Sequence, residues 1–334
     1  MRVMLTGGAG YIGSHTALVL AAAGHHVIVF DNLSNSDRSV IDRLRQIAAG
    51  SITFEFGDVR DQPGLVAAMR RNEVEAVIHF AAKKSVPESF GNPLDYYDNN
   101  IAGSITLLQS MDSLGIRTIV FSSSANVYGK PLFLPIDELH PRSPTSPYGC
   151  SKIVVEDLLS SLFSSDDRWN IGILRYFNPA GSHPSHMIGE DINCQSGNLM
   201  TVIVRAALGL TDAVSIYGDD YDTHDGSGVR DYIHVVDLAE GHLAAMQFIV
   251  SGKRPPSTWN LGTGRGTSVL DLVNAFERVN GVSLVRDFRN RRVGDVPSCY
   301  ADASKANLEL EWTCTRSIDD MCSSSWAFAM RGRI

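Results

Sequence analysis

The stretch Thr6-Gly7-Gly8-Ala9-Gly10-Tyr11-Ile12-Gly13 decides the fold. It carries two overlapping glycine patterns: Gly7, Gly10 and Gly13 as G-x-x-G-x-x-G, and Gly8, Gly10 and Gly13 as G-x-G-x-x-G. Glycines at these spacings allow a tight turn, close approach of backbone to a pyrophosphate and close packing of helix on strand. The apolar run Val3–Thr6 predicts a strand before the turn, and a helix follows through about Leu20. The N-terminus of that helix offers free N–H groups and a positive dipole end to a phosphate. The next predicted strand, Val27–Asp31, ends in a carboxylate 24 residues after Gly7. A carboxylate there hydrogen-bonds a ribose 2′-OH and repels a 2′-phosphate, so the constellation predicts NAD rather than NADP.

Outward from this turn the first half alternates strand and helix. Strands are predicted at Ser51–Gly57, Ala76–Phe80, Thr118–Ser122 and Ile171–Arg175. Helices are predicted at Pro63–Arg71, Leu94–Gly115 and Tyr148–Phe163. Strands that are apolar on both faces are covered on both sides, so the class is α/β, a Rossmann-type doubly wound parallel sheet. After Asn178-Pro179 the pattern turns loop-rich, with one helix near Leu199–Leu210, then strand and helix over Asp231–Val250. This predicts a smaller C-terminal α/β domain made of discontinuous segments. Residues 1–180, with 229–265 returning, form the cofactor domain, and 181–228 with 266–334 form the other.

Bulk properties narrow the function class. The chain has 334 residues, 44% of them hydrophobic, and a net charge of −8, which argues against non-specific nucleic-acid binding. No apolar run reaches the roughly 18 residues of a membrane span, and the N-terminus lacks a signal-peptide pattern. The five cysteines, Cys150, Cys194, Cys299, Cys314 and Cys322, form no C-x-x-C, which fits free thiols in a reducing cytoplasm.

The chemistry gathers at strand ends. Tyr148 and Lys152 stand at i and i+4 at the start of a helix and so share a face. Ser122-Ser123-Ser124 closes the preceding strand, on the edge where open α/β sheets bind ligands. Oxidising a secondary alcohol removes a hydride and the hydroxyl proton. A phenolate can take that proton, but tyrosine ionises near pH 10, so work near pH 7 needs a shift of about three units, or roughly 4 kcal/mol. An ammonium about 4 Å away supplies on the order of 4 kcal/mol at an effective dielectric near 20. Lys152 and the cationic ring of NAD+ together are expected to make Tyr148 a base, with Ser124 orienting the reacting oxygen. Asp58 lies past the third strand, on the adenine side, or else caps the next helix. Phe80, Ala81 and Lys84 follow the fourth strand.

These residues resemble the extended short-chain dehydrogenase/reductase superfamily, and within it the UDP-glucose (UDP-galactose) 4-epimerases. The resemblance rests on Met1–His15, Asp31–Ser36, Gly57-Asp58, Val77–Ala81, Asp95–Asn100, Phe121–Gly129, Ser146–Lys152, Leu174–Gly181, Asp225–Asp237, Trp259–Gly264 and Arg291–Lys305. It implies reversible inversion at C4 of a UDP-hexose through a 4-keto sugar, with bound NAD, in galactose metabolism, by a homodimer built on the Asn99–Met111 and Tyr148 helices. It implies Ser124, Tyr148 and Lys152 as the catalytic trio. It implies NAD contacts from Gly7, Gly10, Tyr11, Ile12, Gly13, Asp31, Asn32, Asn35, Ser36, Asp58, Val59, Phe80, Ala81, Lys84, Asn99, Ser122, Tyr148, Lys152 and Phe177. It implies UDP-sugar contacts from Lys84, Ser124, Tyr148, Asn178, Asn198, Leu199, Ile216, Tyr217, Arg230, Arg292, Asp295 and Cys299. Two arginines suit a diphosphate, and Asp295 suits a ribose diol.

Four positions depart from the family pattern. Cys150 replaces a common Lys, Thr201 a common Pro after Asn-Leu-Met, and Ala125-Asn126 the usual Ala-Thr. Cys299 stands where a bulky Tyr goes with simple hexoses and a small residue with N-acetylated ones as well, so both UDP-Glc/Gal and UDP-GlcNAc/GalNAc are expected. The rivals are another nucleotide-sugar epimerase, a 4,6-dehydratase and a silent NAD-binding regulator. A dehydratase needs an Asp-Glu pair where Ala125-Asn126 stands, and silent members lose the Tyr or Lys. His183-x-x-His186 lacks a third ligand at fitting spacing, so no metal is expected.

Overall fold

Leaving the first strand, β1 (Arg2–Thr6), the chain turns at Gly7 with φ +69°. A Cβ at Gly7 would lie 2.6 Å from the Ala81 amide nitrogen, and one at Gly13 would lie 2.5 Å from the Gly7 carbonyl. Only glycine lets the first helix, α1 (Tyr11–Ala22), settle onto this turn. The computed structural model describes residues 1–192, 197–252, 255–292 and 294–331, so Cys194 lies outside the described residues. Then follow β2 (His26–Asp31), α2 (Arg38–Ile47), β3 (Ile52–Phe56), α3 (Gln62–Arg71), β4 (Ala76–His79), α4 (Val86–Gly91), α5 (Pro93–Tyr97) and α6 (Gly103–Ser113). After these come β5 (Thr118–Ser122), α7 (Pro147–Ser165) and β6 (Asn170–Tyr176).

The second half contains β7 (Asn178–Ala180), α8 (Leu199–Ala207), β8 (Val214–Tyr217), β9 (Val229–Arg230), β10 (Tyr232–His234), α9 (Val235–Val250) and β11 (Ser257–Leu261). It ends with β12 (Thr267–Ser268), α10 (Val269–Asn280), β13 (Arg286–Arg289), β14 (Ser298–Cys299), α11 (Ser304–Glu309) and α12 (Ile318–Arg331). Seven strands form one parallel sheet in the order β11-β6-β5-β4-β1-β2-β3. The order reverses between β1 and β4, which opens a crevice at their carboxyl ends. Small sheets β7-β10, β12-β9-β14 and β8-β13 complete the molecule. Their core, with α8, α10 and α12, holds Met200, Ile203, Val204, Leu272, Phe276 and Met321. No helix is long and apolar enough to cross a membrane among the described residues.

Two elements differ from the sequence reading. Helix α2 was not expected; its buried stripe is narrow, Ile41 and Leu44 alone, among charged residues. Its start was marked by Asp37, whose Oδ1 accepts from the Ser39 N–H at 2.8 Å. The single helix read over Leu94–Gly115 is divided by a π-helical turn at Asp98–Ala102. That turn aims Asn100 at the segment after β4. Its Oδ1 accepts from Lys83 N–H (2.8 Å), and its Nδ2 donates to Lys83 C=O (3.0 Å) and Ser151 Oγ (3.1 Å). Hydrophobic periodicity cannot show the one extra residue of such a turn.

Helix α7 is fixed to the sheet by a buried charge cluster. Glu156 accepts from Arg175 Nε (3.0 Å) and Nη2 (2.6 Å) in β6, from Ser123 Oγ (2.6 Å) and from Arg142 Nη1 (3.1 Å). Glu156 is 2% exposed and Arg175 5%. Removing one partner of such a pair strands the other charge in a dry site. Glu156→Ala is therefore expected to cost about 3–5 kcal/mol, read as a fall in the urea midpoint; a loss below about 1 kcal/mol would show the cluster is not an anchor.

Candidate active site

Two clefts gather the residues singled out by the sequence. The first, with about 900 Å³ of empty space, is walled by the glycine turn, the ends of β2 and β4, and the start of α7. Its lining includes Gly7, Gly10, Tyr11, Ile12, Gly13, Asp31, Asn32, Asn35, Val59, Phe80, Ala81, Lys84, Asn99, Tyr148 and Lys152, all expected from the sequence. Helix α1 starts at Gly10 with no side-chain cap and no acidic residue in its first turn. By contrast α2, α3, α7 and α10 are capped by Asp37, Asp61, Ser146 and Ser268. An uncapped helix start facing a cleft leaves N–H groups and a positive dipole end for an anion. The residues present therefore fit a dinucleotide.

Asp31 ends β2 and binds the turn from below. Its Oδ2 accepts from Ala9 N–H (3.0 Å) and its Oδ1 from Leu33 N–H (2.8 Å). Burial pushes its carboxyl up, against these hydrogen bonds. Four expected cofactor contacts lie off the cleft lining. Ser36 stands behind Asp31, with Oγ 3.5 Å from Oδ1. Asp58 is forked by Arg60 Nε (2.9 Å) and Nη2 (2.7 Å) and takes the Asn32 amide (2.9 Å). Those Arg60 hydrogen bonds hold its carboxyl well below the usual range. Asp58 is not the helix cap either, since Asp61 caps α3. Ser122 turns its hydroxyl to His242 Nε2 (2.9 Å). Phe177 packs with Val127, Tyr128, Ile136 and Ala301. Strand alternation explains the last case: Tyr176, one residue earlier, lines the cleft instead. Tyr176 closes β6 at the ligand edge, so its position was a signal that went unread.

The three serines after Phe121 do three different jobs. Ser122 C=O accepts from Lys152 Nζ at 2.8 Å, Ser123 donates to Glu156, and Ser124 reaches Tyr148. Ser124 Oγ accepts from the Asn126 N–H (3.2 Å) and Nδ2 (3.1 Å). Asn126, a departure from the family pattern, thus reaches the serine expected to be catalytic. Ser146 caps α7 by accepting from Gly149 N–H at 3.1 Å, and Pro147 pre-sets its first turn. Tyr148 and Lys152 are both buried. The ammonium lies 4.8 Å from the Phe121 ring centroid and 5.8 Å from that of Tyr148.

The sequence reading has Lys152 and the cationic ring of NAD+ together draw the Tyr148 phenol down. The chain alone does the opposite: burial pushes the phenol up, and the Ser124 hydrogen bond opposes it. Burial also pulls Lys152 down to about 7, opposed by Glu156. In both groups desolvation is the largest cause, because each is buried in the same dry site.

The second cleft, about 1060 Å³, is lined by Asn178, Asn198, Leu199, Tyr217, Arg230, Arg292 and Asp295 among others. Arg230 pairs closely with Asp295, and Arg292 stacks 3.9 Å from the Tyr217 ring centroid. Helix α8 begins here at Asn198, again without a side-chain cap. Ile216, expected at the UDP-sugar, has its side chain buried in the second core, and its neighbours Ser215 and Tyr217 line the cleft. Cys299 lies outside the lining. It pairs in register with Arg230 on β9 and packs against the Phe177 cluster. Burial raises its thiol to about 11. His183 Nδ1 is engaged by Ser185 Oγ at 2.9 Å. Glu190, unread in the sequence, joins Lys84 to Asn198.

A family model described as GDP-mannose 4,6 dehydratase matches residues 4–325. The UDP-glucose 4-epimerase of Bacillus subtilis (strain 168) is 46% identical over 98% of this chain and 96% of its own length. A crystal structure of the Stenotrophomonas maltophila UDP-glucose 4-epimerase, with NAD and formylated UDP-arabinopyranose, superposes with a TM-score of 0.97 at 46% identity, covering 100% of this chain and 99% of that one. The Bifidobacterium longum enzyme, with NAD+ and UDP, gives 0.96 at 44% identity, with coverage of 100% and 99%.

The buried lysine carries a stability signature. Its folded pKa, about 7, lies below its unfolded value, so between the two the unfolded chain binds more protons. Stability from this group is therefore reduced below about pH 7 and rises with pH above it, by up to about 1.4 kcal/mol per unit. Comparing unfolding midpoints at pH 7 and 8.5, Lys152→Met should flatten this rise. Parallel curves for variant and wild type would show that Lys152 stays charged in its pocket.

Proposed function

The chain belongs to the UDP-glucose 4-epimerase family, and on that premise we propose how its two clefts divide the work of inverting C4 of a UDP-hexose with bound NAD. The body of residues 1–180, with 229–265 returning to it, holds NAD; 181–228 with 266–334 hold the UDP-sugar, joined at the second cleft by Asn178 and Arg230 from the cofactor body. The observation that carries this reading is the pair of helix starts without a side-chain cap, α1 at the first cleft, which Tyr148 also lines, and α8 at the second. Each offers a diphosphate the same free N–H groups.

NAD, when bound, supplies a two-electron acceptor and donor at C4 and places positive charge near the phenol. Gly7 to Gly13 and Asp31 hold its pyrophosphate and ribose. Tyr148 takes the C4 hydroxyl proton and later returns it. Ser124 orients the reacting oxygen, and Lys152, held on the Ser122 carbonyl, tunes the phenol. Arg230, Arg292, Asn178 and Asn198 hold the UDP end, so a 4-keto hexose attached only there is free to turn and accept hydrogen on its other face.

A homodimer through α6 and α7 is supported by the exposed apolar residues Ile105 and Val154 on these helices and Phe90 and Leu94 beside them. A cytoplasmic setting is supported by the free thiols Cys150, Cys299, Cys314 and Cys322. The net charge of −8 speaks against a nucleic-acid partner.

Tyr148→Phe should fold, keep NAD and lose roughly 10²–10⁴-fold in rate, the worth of a positioned acid–base group. Keeping half the wild-type rate with UDP-galactose would remove Tyr148 from the reaction.

Cys299 extends the reading to N-acetylated sugars. It lies beside Arg230 with no aromatic ring, and an acetamido group adds only a few heavy atoms over a hydroxyl. Wild type is expected to epimerise both UDP-galactose and UDP-N-acetylgalactosamine, followed by NMR of H4. Cys299→Tyr should stop only the acetamido substrate, because steric exclusion acts on the larger group. Equal acetamido turnover by the Tyr variant, or none by wild type, defeats the specificity reading and leaves the epimerase assignment intact.

A further inference from the structure

Glu190 lines a small cavity of its own, with Tyr11, Gly181 and Thr201, and bonds one residue from each of the two clefts. Its Oε1 accepts from Asn198 Nδ2 at 2.6 Å and faces Lys84 Nζ at 3.2 Å; its Oε2 accepts from Thr201 Oγ1 at 2.8 Å. Lys84 lines the first cleft and Asn198 the second. Asn198 and Thr201 are the cap position and third residue of α8. The side chain of Glu190 is only 12% exposed, so its charge is poorly screened. A carboxylate here enjoys the positive end of the α8 dipole, a lysine and the amide that would otherwise cap the helix. These are the features that attract a phosphate. Thr201, where the family pattern has Pro, supplies the hydroxyl that fixes Oε2.

We propose that Glu190 is an internal competitor of the substrate's diphosphate: it occupies Asn198 and Lys84 and opposes the incoming negative charge at the start of α8. The inference rests on reading the second cleft as the UDP site. It gives the enzyme a reason to hold a buried anion there. Substrate and product share the UDP moiety, so affinity for UDP beyond what orientation needs deepens both bound states alike and adds nothing to the chemical step. A fixed anion trims that uniform affinity and lets product leave.

The test is calorimetric titration of the purified, NAD-containing protein with UDP and with uridine, which lacks the phosphates. Wild type is compared with Glu190→Gln, which keeps the shape and an acceptor oxygen, and Glu190→Asp, which keeps the charge. Glu190→Gln should bind UDP about tenfold tighter, or about 1.4 kcal/mol, with uridine unchanged and the gain shrinking in high salt. Glu190→Asp should stay near wild type. UDP binding by Glu190→Gln that is unchanged or weaker overturns the proposal, as does an equal gain in Glu190→Asp. Weakening of UDP and uridine alike would mean that Glu190 only organises its own cavity. A wild type that binds no UDP would instead sink the reading of the cleft itself.

Discussion

Burial of an ammonium and a phenol side by side at the carboxyl end of β5 is the constraint on which the rest of the structure depends. Neither Lys152 nor Tyr148 is stable in a dry site without partners. Lys152 finds the Ser122 carbonyl and the Phe121 ring; Tyr148 finds Ser124. One turn further along α7, Glu156 ties the helix to Arg175 in β6 and to Ser123. The strand end must therefore offer a carbonyl and two hydroxyls in three successive residues, which is why three serines stand there. The remaining hydroxyl, on Ser122, goes to His242, which burial holds neutral with its pKa near 4. Nδ1 of His242 donates to the Leu238 carbonyl, so Nε2 is free to accept.

The two sites proposed for a diphosphate use one device. The chain is acidic overall, with a net charge of −8, so long-range attraction does not bring phosphates to it. What serves instead is local: helix starts left uncapped at Gly10 and Asn198. At Gly10 there is no side chain to cap with. At Asn198 the side chain exists but is turned away to Glu190. Arg230 and Arg292 are each restrained in turn, by Asp295 and the Tyr217 ring, so their guanidinium planes are pre-set.

How much of this is readable from the sequence depends on the range over which each feature is encoded. The glycine turn, Asp31, and the Tyr148–Lys152 spacing are local patterns with mechanical meaning, and the structure gathers them on one cleft. Side-chain direction at strand ends is less legible. Phe177 and Ile216 point into cores while Tyr176 and Tyr217 take the cleft, because alternation depends on where each strand begins. Long-range features leave almost no trace. Nothing near Cys299 says that it lies in register with Arg230, and nothing near Glu190 says that Lys84, 106 residues away, is its partner. The up-shifted phenol was likewise out of reach, since it follows from burial rather than from spacing.

The arrangement also accounts for a grip that is firm at one end of the substrate and slack at the other. Groups suited to phosphate and ribose, Asn178, Asn198, Arg230, Arg292 and Asp295, gather in the second cleft. Groups suited to moving a proton, Ser124, Tyr148 and Lys152, gather at the end of β5 and the start of α7. Beside them lies an apolar cluster of Val127, Phe177, Ala301 and Cys299. Such side chains offer shape but almost no hydrogen-bonding capacity, the Cys299 thiol being only a weak donor. On the proposed reading the UDP end meets many polar partners and the hexose few, so rotating the sugar breaks few hydrogen bonds whereas moving the UDP end breaks many. Inversion at one carbon needs this asymmetry, since both faces of the sugar must in turn meet the same Tyr148.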